Sequence, residues 1–200
     1  MKYHDIIEPY INDTMSMDIR HAKIIEHYIL ALKAFSKFIE VGSCYGVSTS
    51  CIVRGCEESQ NKCVLIDICF TEPVLKIREK SRGSLDLKLY QESSLVALTK
   101  EIDSDSIILL DGDHTLNAVK LESDILKQYM PRSIILHDVS NTSQYCEGPK
   151  WAFDEWTSMG YHGIIDCEDR TGERTNRGLG ILCRDIEDYH KAQSVMTLFT

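Results

Sequence analysis

Two short acidic clusters close apolar runs in this sequence: Asp111-Gly112-Asp113-His114 follows Ile107-Ile108-Leu109-Leu110, and His137-Asp138 follows Ile134-Ile135-Leu136. In an open parallel sheet, ligands sit outside the carboxyl ends of the strands. If the two runs are neighbouring strands, roughly 4.8 Å apart, Asp111 and Asp138 face one another across a crevice. Carboxylates that close repel unless a proton or a cation lies between them. A hard cation such as Mg²⁺ suits the pair, because it takes oxygen ligands and keeps waters that a substrate can displace. Asp111 and Asp138 are therefore candidate metal ligands. Where proton removal is needed, His114 is the first candidate base, His137 the second and Asp111 the third. The other histidines, His4, His21, His27, His162 and His190, have no comparable setting and are expected at the surface or in packing.

A third stretch, Phe38–Ser50 (FIEVGSCYGVSTS), reads as a buried strand over 38–41, a bend at Gly42 and Gly46, and a helix opening near Tyr45 to Ser48. Such a corner aims backbone N–H groups and the positive end of a helix dipole at one spot, which suits an anionic or carboxylate-bearing small molecule. The dinucleotide fingerprint would need glycines where Cys44 and Val47 stand, and no phosphate-cradling Gly-Lys-Ser/Thr follows. What remains is E-x-G-x-x-x-G-x-S, carried by Glu40, Gly42, Gly46 and Ser48. Downstream, Cys63–Phe70 is a near-continuous apolar run whose one charge is Asp67. A carboxylate at the end of a second strand is where α/β nucleotide sites hold ribose hydroxyls. Ser93 or Ser94 can cap the helix that begins beside them.

The elements that must position these groups alternate. Helical spacing of apolar residues runs from Met17 to Phe35, and helices are also expected after Tyr45, over Glu72–Arg82, up to Glu101, from Leu116 to Met130 and over Trp151–Met159. Strands are expected at Leu85–Tyr90, from Ser106, from Ser133, at Tyr161–Asp166 and at Gly178–Arg184, with a hairpin-like connection over 167–177. Trp151 and Trp156 are read as core anchors of one helix, and the irregular stretch 139–150 as a lid. Alternation of this kind predicts one α/β domain, 1–200, with a doubly wound, mostly parallel sheet. Within it, 1–35 is an N-terminal arm and helix, 36–184 a Rossmann-like core and 185–200 a C-terminal tail.

Composition narrows the partners. With 22 basic and 31 acidic residues, the net charge of −9 argues against nucleic acid, and a small molecule is the expected partner. No apolar stretch approaches the ~18 residues of a membrane span. Eight cysteines without a C-x-x-C pair read as reduced, mostly buried thiols of a cytoplasmic protein rather than a disulfide framework or a zinc site. Association of identical chains is compatible with the sequence.

Taken together, E-x-G-x-x-x-G-x-S, Asp67, LLDGDHT and IILHDV resemble the class I S-adenosylmethionine (SAM) methyltransferases over about residues 36–140. The acidic pair is similar to that of small-molecule O-methyltransferases of the cephalosporin-cluster and macrolide-sugar (macrocin-type) group. That resemblance implies a seven-stranded sheet with SAM as cofactor and a sugar or secondary metabolite as methyl acceptor. It further implies Mg²⁺ on Asp111 and Asp138 beside the methyl group. By the same resemblance Glu40, Gly42, Ser43, Gly46 and Ser48 hold the methionine end of SAM, Asp67 the ribose, Ser93 the adenine, and Asp111 the cofactor as well as the metal. His137 occupies a position often acidic in that group, and Val139 one where catechol-type relatives carry an amide. A nicotinamide-dependent oxidoreductase and a non-catalytic SAM-fold binding protein are the alternatives. The glycines missing at 44 and 47 oppose the first, and the strand-end acids and histidines oppose the second.

Overall fold

A computed structural model describes residues 2–141, 143, 146–167 and 177–199. Residues 168–176 of the hairpin-like connection expected over 167–177, and residues 142, 144 and 145 of the lid expected over 139–150, lie outside the described residues.

The apolar runs of the central strands are buried on one face of the sheet or the other, whereas the two edge strands are mostly half-buried or exposed. The strands are β1 (Lys37–Val41), β2 (Lys62–Asp67), β3 (Leu87–Gln91), β4 (Ile107–Leu110), β5 (Ser133–His137), β6 (His162–Asp166) and β7 (Leu179–Cys183). They make a seven-stranded sheet in the order β3-β2-β1-β4-β5-β7-β6. The first five strands are mutually parallel, and β7 lies antiparallel between β5 and β6.

Side chains alternate across the sheet and divide the core in two. Phe38, Leu65, Ile107, Leu109 and Ile135 face α2 (Ile19–Leu32), α3 (Val47–Ser59), α4 (Glu72–Lys80) and α8 (Ile186–Thr197). Ile39, Val41, Ile66, Ile108, Leu110 and Leu136 face α5 (Ser94–Glu101), α6 (Leu116–Tyr129) and α7 (Glu147–Ser158). The strand order reverses between β1 and β4, and their ends are in register, with Val41 paired to Ile66 on one side and to Leu110 on the other. That reversal opens a crevice at the carboxyl edge.

Several expectations are corrected. The first residues hold a short helix, α1 (Tyr3–Ile7), and a 3₁₀ turn over Glu8–Tyr10, rather than an irregular arm throughout. The third strand starts at Leu87, because the amides of Ser84 and Leu85 turn back to Ser81. Residues 185–200, read only as a tail, carry α8, whose Ala192 and Val195 join the core. All eight cysteines are unpaired, but only Cys51, Cys56, Cys63 and Cys183 are buried; Cys69 lies beyond the end of β2 and is exposed. Trp156 is a core residue, whereas Trp151 is half-buried beneath Lys120 and Lys127. Among the described residues, no helix is long and apolar enough to cross a membrane.

Candidate active site

A cleft of about 820 Å³ opens at the carboxyl edge of the sheet, within the size range of small-molecule sites. Gly42, Asp67, Asp111 and Asp138, from the ends of β1, β2, β4 and β5, all line it. The closeness of these ends depends on Gly42. Its φ is +85°, and a Cβ there would stand 2.4 Å from the Asp111 carbonyl oxygen and 2.7 Å from the Gly112 Cα. Gly42 is thus required by a backbone-to-backbone approach. Gly46 serves packing instead, since a Cβ on it would meet Ile77 and Val74 of α4.

The loop after β1 is tied to β2 by Asp67, whose Oδ2 accepts from the Ser43 amide at 2.8 Å and the Ser43 hydroxyl at 2.9 Å. Its Oδ1 accepts from the Cys69 amide at 3.1 Å, so Asp67, on the cleft wall, keeps one acceptor position on Oδ1 for a ligand hydroxyl. Ser93 also lines the cleft while capping α5 through the Leu95 amide. Glu40, Ser43, Gly46, Ser48 and His137 are not on the cleft wall. Glu40 is fully buried, and its two oxygens accept from Ser48 Oγ at 2.5 Å and Thr49 Oγ1 at 2.7 Å, pinning the start of α3 to β1. Burial pushes its carboxyl up to about 8, against those two hydrogen bonds.

Four side chains converge at the ends of β4 and β5. Donor atoms of Asp111, His114, His137 and Asp138 all lie within 4.8 Å of one another. The buried His137 donates from Nδ1 to Asp111 Oδ1 at 3.0 Å and stands 3.5 Å from Asp138 Oδ2. His114, partly exposed to the cleft, has Nε2 3.3 Å from Asp111 and Nδ1 3.7 Å from Asp138. Burial opposes charge on every member, yet the partners outweigh it. Beside Asp111 and Asp138, the His137 imidazole is pushed up to about 10 and that of His114 is also raised. Both carboxyls are held below their ordinary range by the imidazoles. His137 is therefore a buried imidazolium rather than a base, and His114 is the histidine that reaches the cleft. Asp138 adopts φ +62°, a conformation non-glycine residues hold only when the surroundings impose it.

Half of this donor set is imidazole nitrogen. Mg²⁺ takes oxygen ligands, so the residues do not fit the hard cation expected from the sequence; a mixed set of this kind suits ions such as Zn²⁺. Behind the cluster, His21 is a packing residue as expected. It is 2% exposed, meets the His137 ring edge-on at 5.5 Å, and is lowered to about 4 by burial and the His137 charge.

Some of the wall was not foreseen. Thr14, Met15 and Met17 of the N-terminal segment line the cleft. Arg177 anchors that segment by donating to the carbonyls of Ser16, at 3.1 Å, and Thr14, while its Nε stands 3.6 Å from Asp138 Oδ1. Tyr10 stacks on Tyr45 at 4.8 Å and fixes the same segment against the loop after β1. Asn141, Cys146 and Glu122 complete the unpredicted set. No sequence periodicity links these residues to strand ends.

No family model matches the chain, and no curated protein matches its sequence. Solved structures do match. An O-methyltransferase from Streptomyces achromogenes involved in tomaymycin synthesis, in complex with SAM, aligns with a TM-score of 0.64 at 10% identity, covering 90% of this chain and 86% of that one. An O-methyltransferase from Bacillus cereus in complex with S-adenosylhomocysteine (SAH) aligns at 0.64 and 15% identity, covering 90% of each chain. A SAH-bound methyltransferase from Podospora anserina aligns at 0.61 and 12% identity, covering 90% and 85%. At such identities the likeness is one of fold: this chain has the Rossmann-like methyltransferase architecture, with a seven-stranded, mostly parallel sheet.

Proposed function

We propose that the protein is a SAM-dependent methyltransferase acting on a hydroxyl of a small acceptor such as a sugar or secondary metabolite. The observation that carries this reading is the convergence of Gly42, Asp67, Asp111 and Asp138 on one cleft of a methyltransferase fold. Asp67 holds a ribose hydroxyl, Ser93 borders the base, and the strand tip at Gly42 admits the methionine end. When bound, SAM supplies an electrophilic methyl group on a sulfonium, whose C–S bond breaks as the new O–C bond forms, leaving SAH.

The chain then has two tasks, to align the hydroxyl and to remove its proton. His114 lines the cleft beside both carboxylates; because they raise its imidazole, it takes the hydroxyl's proton only from the neutral form that prevails above that raised range, and Asp111 and Asp138 then stabilise the imidazolium that results. His137 keeps the carboxylates neutralised from behind. No step runs through Mg²⁺. Met15, Met17 and Arg177 bound the acceptor side of the cleft.

Calorimetric titration with SAM, SAH and a nicotinamide dinucleotide tests the assignment. Binding of SAM and SAH is expected, with Asp67→Ala weakening both at least about tenfold. Binding of the nicotinamide dinucleotide in preference to SAM, or of neither, removes the assignment.

A further inference from the structure

On the wall of the cleft, α6 presents a carboxyl that nothing above employs. Glu122 is 4% exposed yet lines the cleft. It accepts one hydrogen bond, from Ser94 Oγ to Oε1 at 2.6 Å, and among the described residues it has no ion-pair partner. The wall around it is largely apolar, from Leu95, Ala118 and Leu121, and the nearby charge of Asp113 is of like sign. Burial pushes its carboxyl up to about 7. A buried carboxyl with open acceptor positions is costly unless a donor meets it. The chain supplies only a hydroxyl, and the open side faces the cleft.

A ligand that satisfies this carboxyl has a flat apolar body to lie against the leucines and an N–H donor on its edge. Adenine has both. Its exocyclic amino group donates two hydrogens, whereas at a pH above the Glu122 titration, where the carboxyl is ionised, a purine with oxygen at that position presents an acceptor to an acceptor. We propose that Glu122, oriented by Ser94, recognises the amino group of the cofactor's adenine and sets selectivity for 6-amino over 6-oxo purines. This rests on reading the cleft as a SAM site. The element involved lies beyond β4, whereas the serines expected to border the base follow β3.

The test is calorimetric binding, at a pH above the Glu122 titration, of SAH and of its 6-oxo counterpart, S-inosylhomocysteine, to the full chain and to Glu122→Gln. A site whose polar groups are built for one edge rejects the other strongly. Wild type is expected to prefer SAH by about a hundredfold, and Glu122→Gln, whose amide can donate to a 6-oxo group, to narrow that ratio at least about tenfold. A merely structural role for Glu122 would lower both affinities together and leave their ratio in place, and that result overturns the proposal. Wild type binding neither ligand overturns both this inference and the cofactor assignment; wild type binding SAH while the variant keeps the ratio overturns this one alone. Glu122→Asp retains the acceptor. It is expected to keep the preference for SAH with weaker binding, and loss of the preference in that variant also counts against the proposal.

Discussion

Two parts of the cleft wall treat buried carboxyls in opposite ways. At the β4–β5 end, Asp111 and Asp138 sit among two imidazoles and are held ionised although burial opposes it. Between α5 and α6, Glu122 accepts from a single hydroxyl, with Asp113 and His114 acting on it more weakly and in opposite senses, and burial pushes it up to about 7. Beneath the floor, Glu40 repeats the second pattern with two hydroxyls and rises to about 8. Burial raises all four carboxyls, and the outcome differs because the aspartates have imidazoles beside them whereas the glutamates are held mainly by hydroxyls. One part of the wall is suited to handling a proton, and the other to receiving a neutral hydrogen-bond donor.

The largest effect that would break this contrast is on rate. His114→Ala is expected to cost about 10²- to 10⁴-fold in turnover while SAH affinity stays within a few-fold, as for loss of a general base. Turnover unchanged by the substitution would move proton removal elsewhere. Next, His137→Gln leaves two buried carboxylates without their imidazolium, and a loss of about 3 to 5 kcal/mol in denaturant-measured stability near pH 7 is expected. The sign with pH is fixed by the shift. His137 is raised from 6.5 to about 10, so its contribution is complete below pH 6.5 and fades as pH climbs through 10. Wild type is expected to lose stability across that window and the variant to lose less; parallel curves would refute the buried imidazolium.

Glu40 gives a different window. Its carboxyl rises from 4.5 to about 8, so the folded state holds a proton the unfolded chain releases, and stability falls as pH rises through that interval. Glu40→Gln should flatten the curve there, gaining on wild type between pH 5 and 8 by an amount on the order of a few kcal/mol. Equal slopes would show that Glu40 is ionised throughout. The smallest effect is expected at Ser94 and Glu122. Ser94→Ala is expected to change stability by about 1 kcal/mol and to weaken SAH binding a few-fold by loosening Glu122. Unchanged binding would mean that Glu122 needs no such orientation.

The strand-end acids were legible because a charge that terminates a run of apolar residues has few places to go except the sheet's edge. Asp67, Asp111 and Asp138 could be read off that pattern, and with them the sheet itself. Glu40 misled: the Ser48 and Thr49 hydroxyls that occupy it lie on the next helix, and only the angle between strand and helix brings them onto its oxygens. Glu122 stands three residues after Val119 and four before Leu126, on the buried stripe of α6, so its burial was legible from spacing and only its residue type suggested a solvent-facing position. His21 lies on a face of α2 that looks no different from its neighbours until the end of β5 is placed against it. Thr14, Met15, Met17 and Arg177 belong to stretches without periodicity, so their meeting at the cleft is purely tertiary.

Of all the atoms at the carboxyl edge, the hardest to replace is a hydrogen. Where Gly42 passes Asp111 and Gly112, the space a methyl group would need is already filled by main chain. The tips of β1 and β4 are thereby coupled mechanically, so a shift of β1 carries along β4, the strand that ends at Asp111. Side chains around the cleft can be exchanged to suit a new substrate, but the spacing between those tips is a fixed ruler that every such variant inherits.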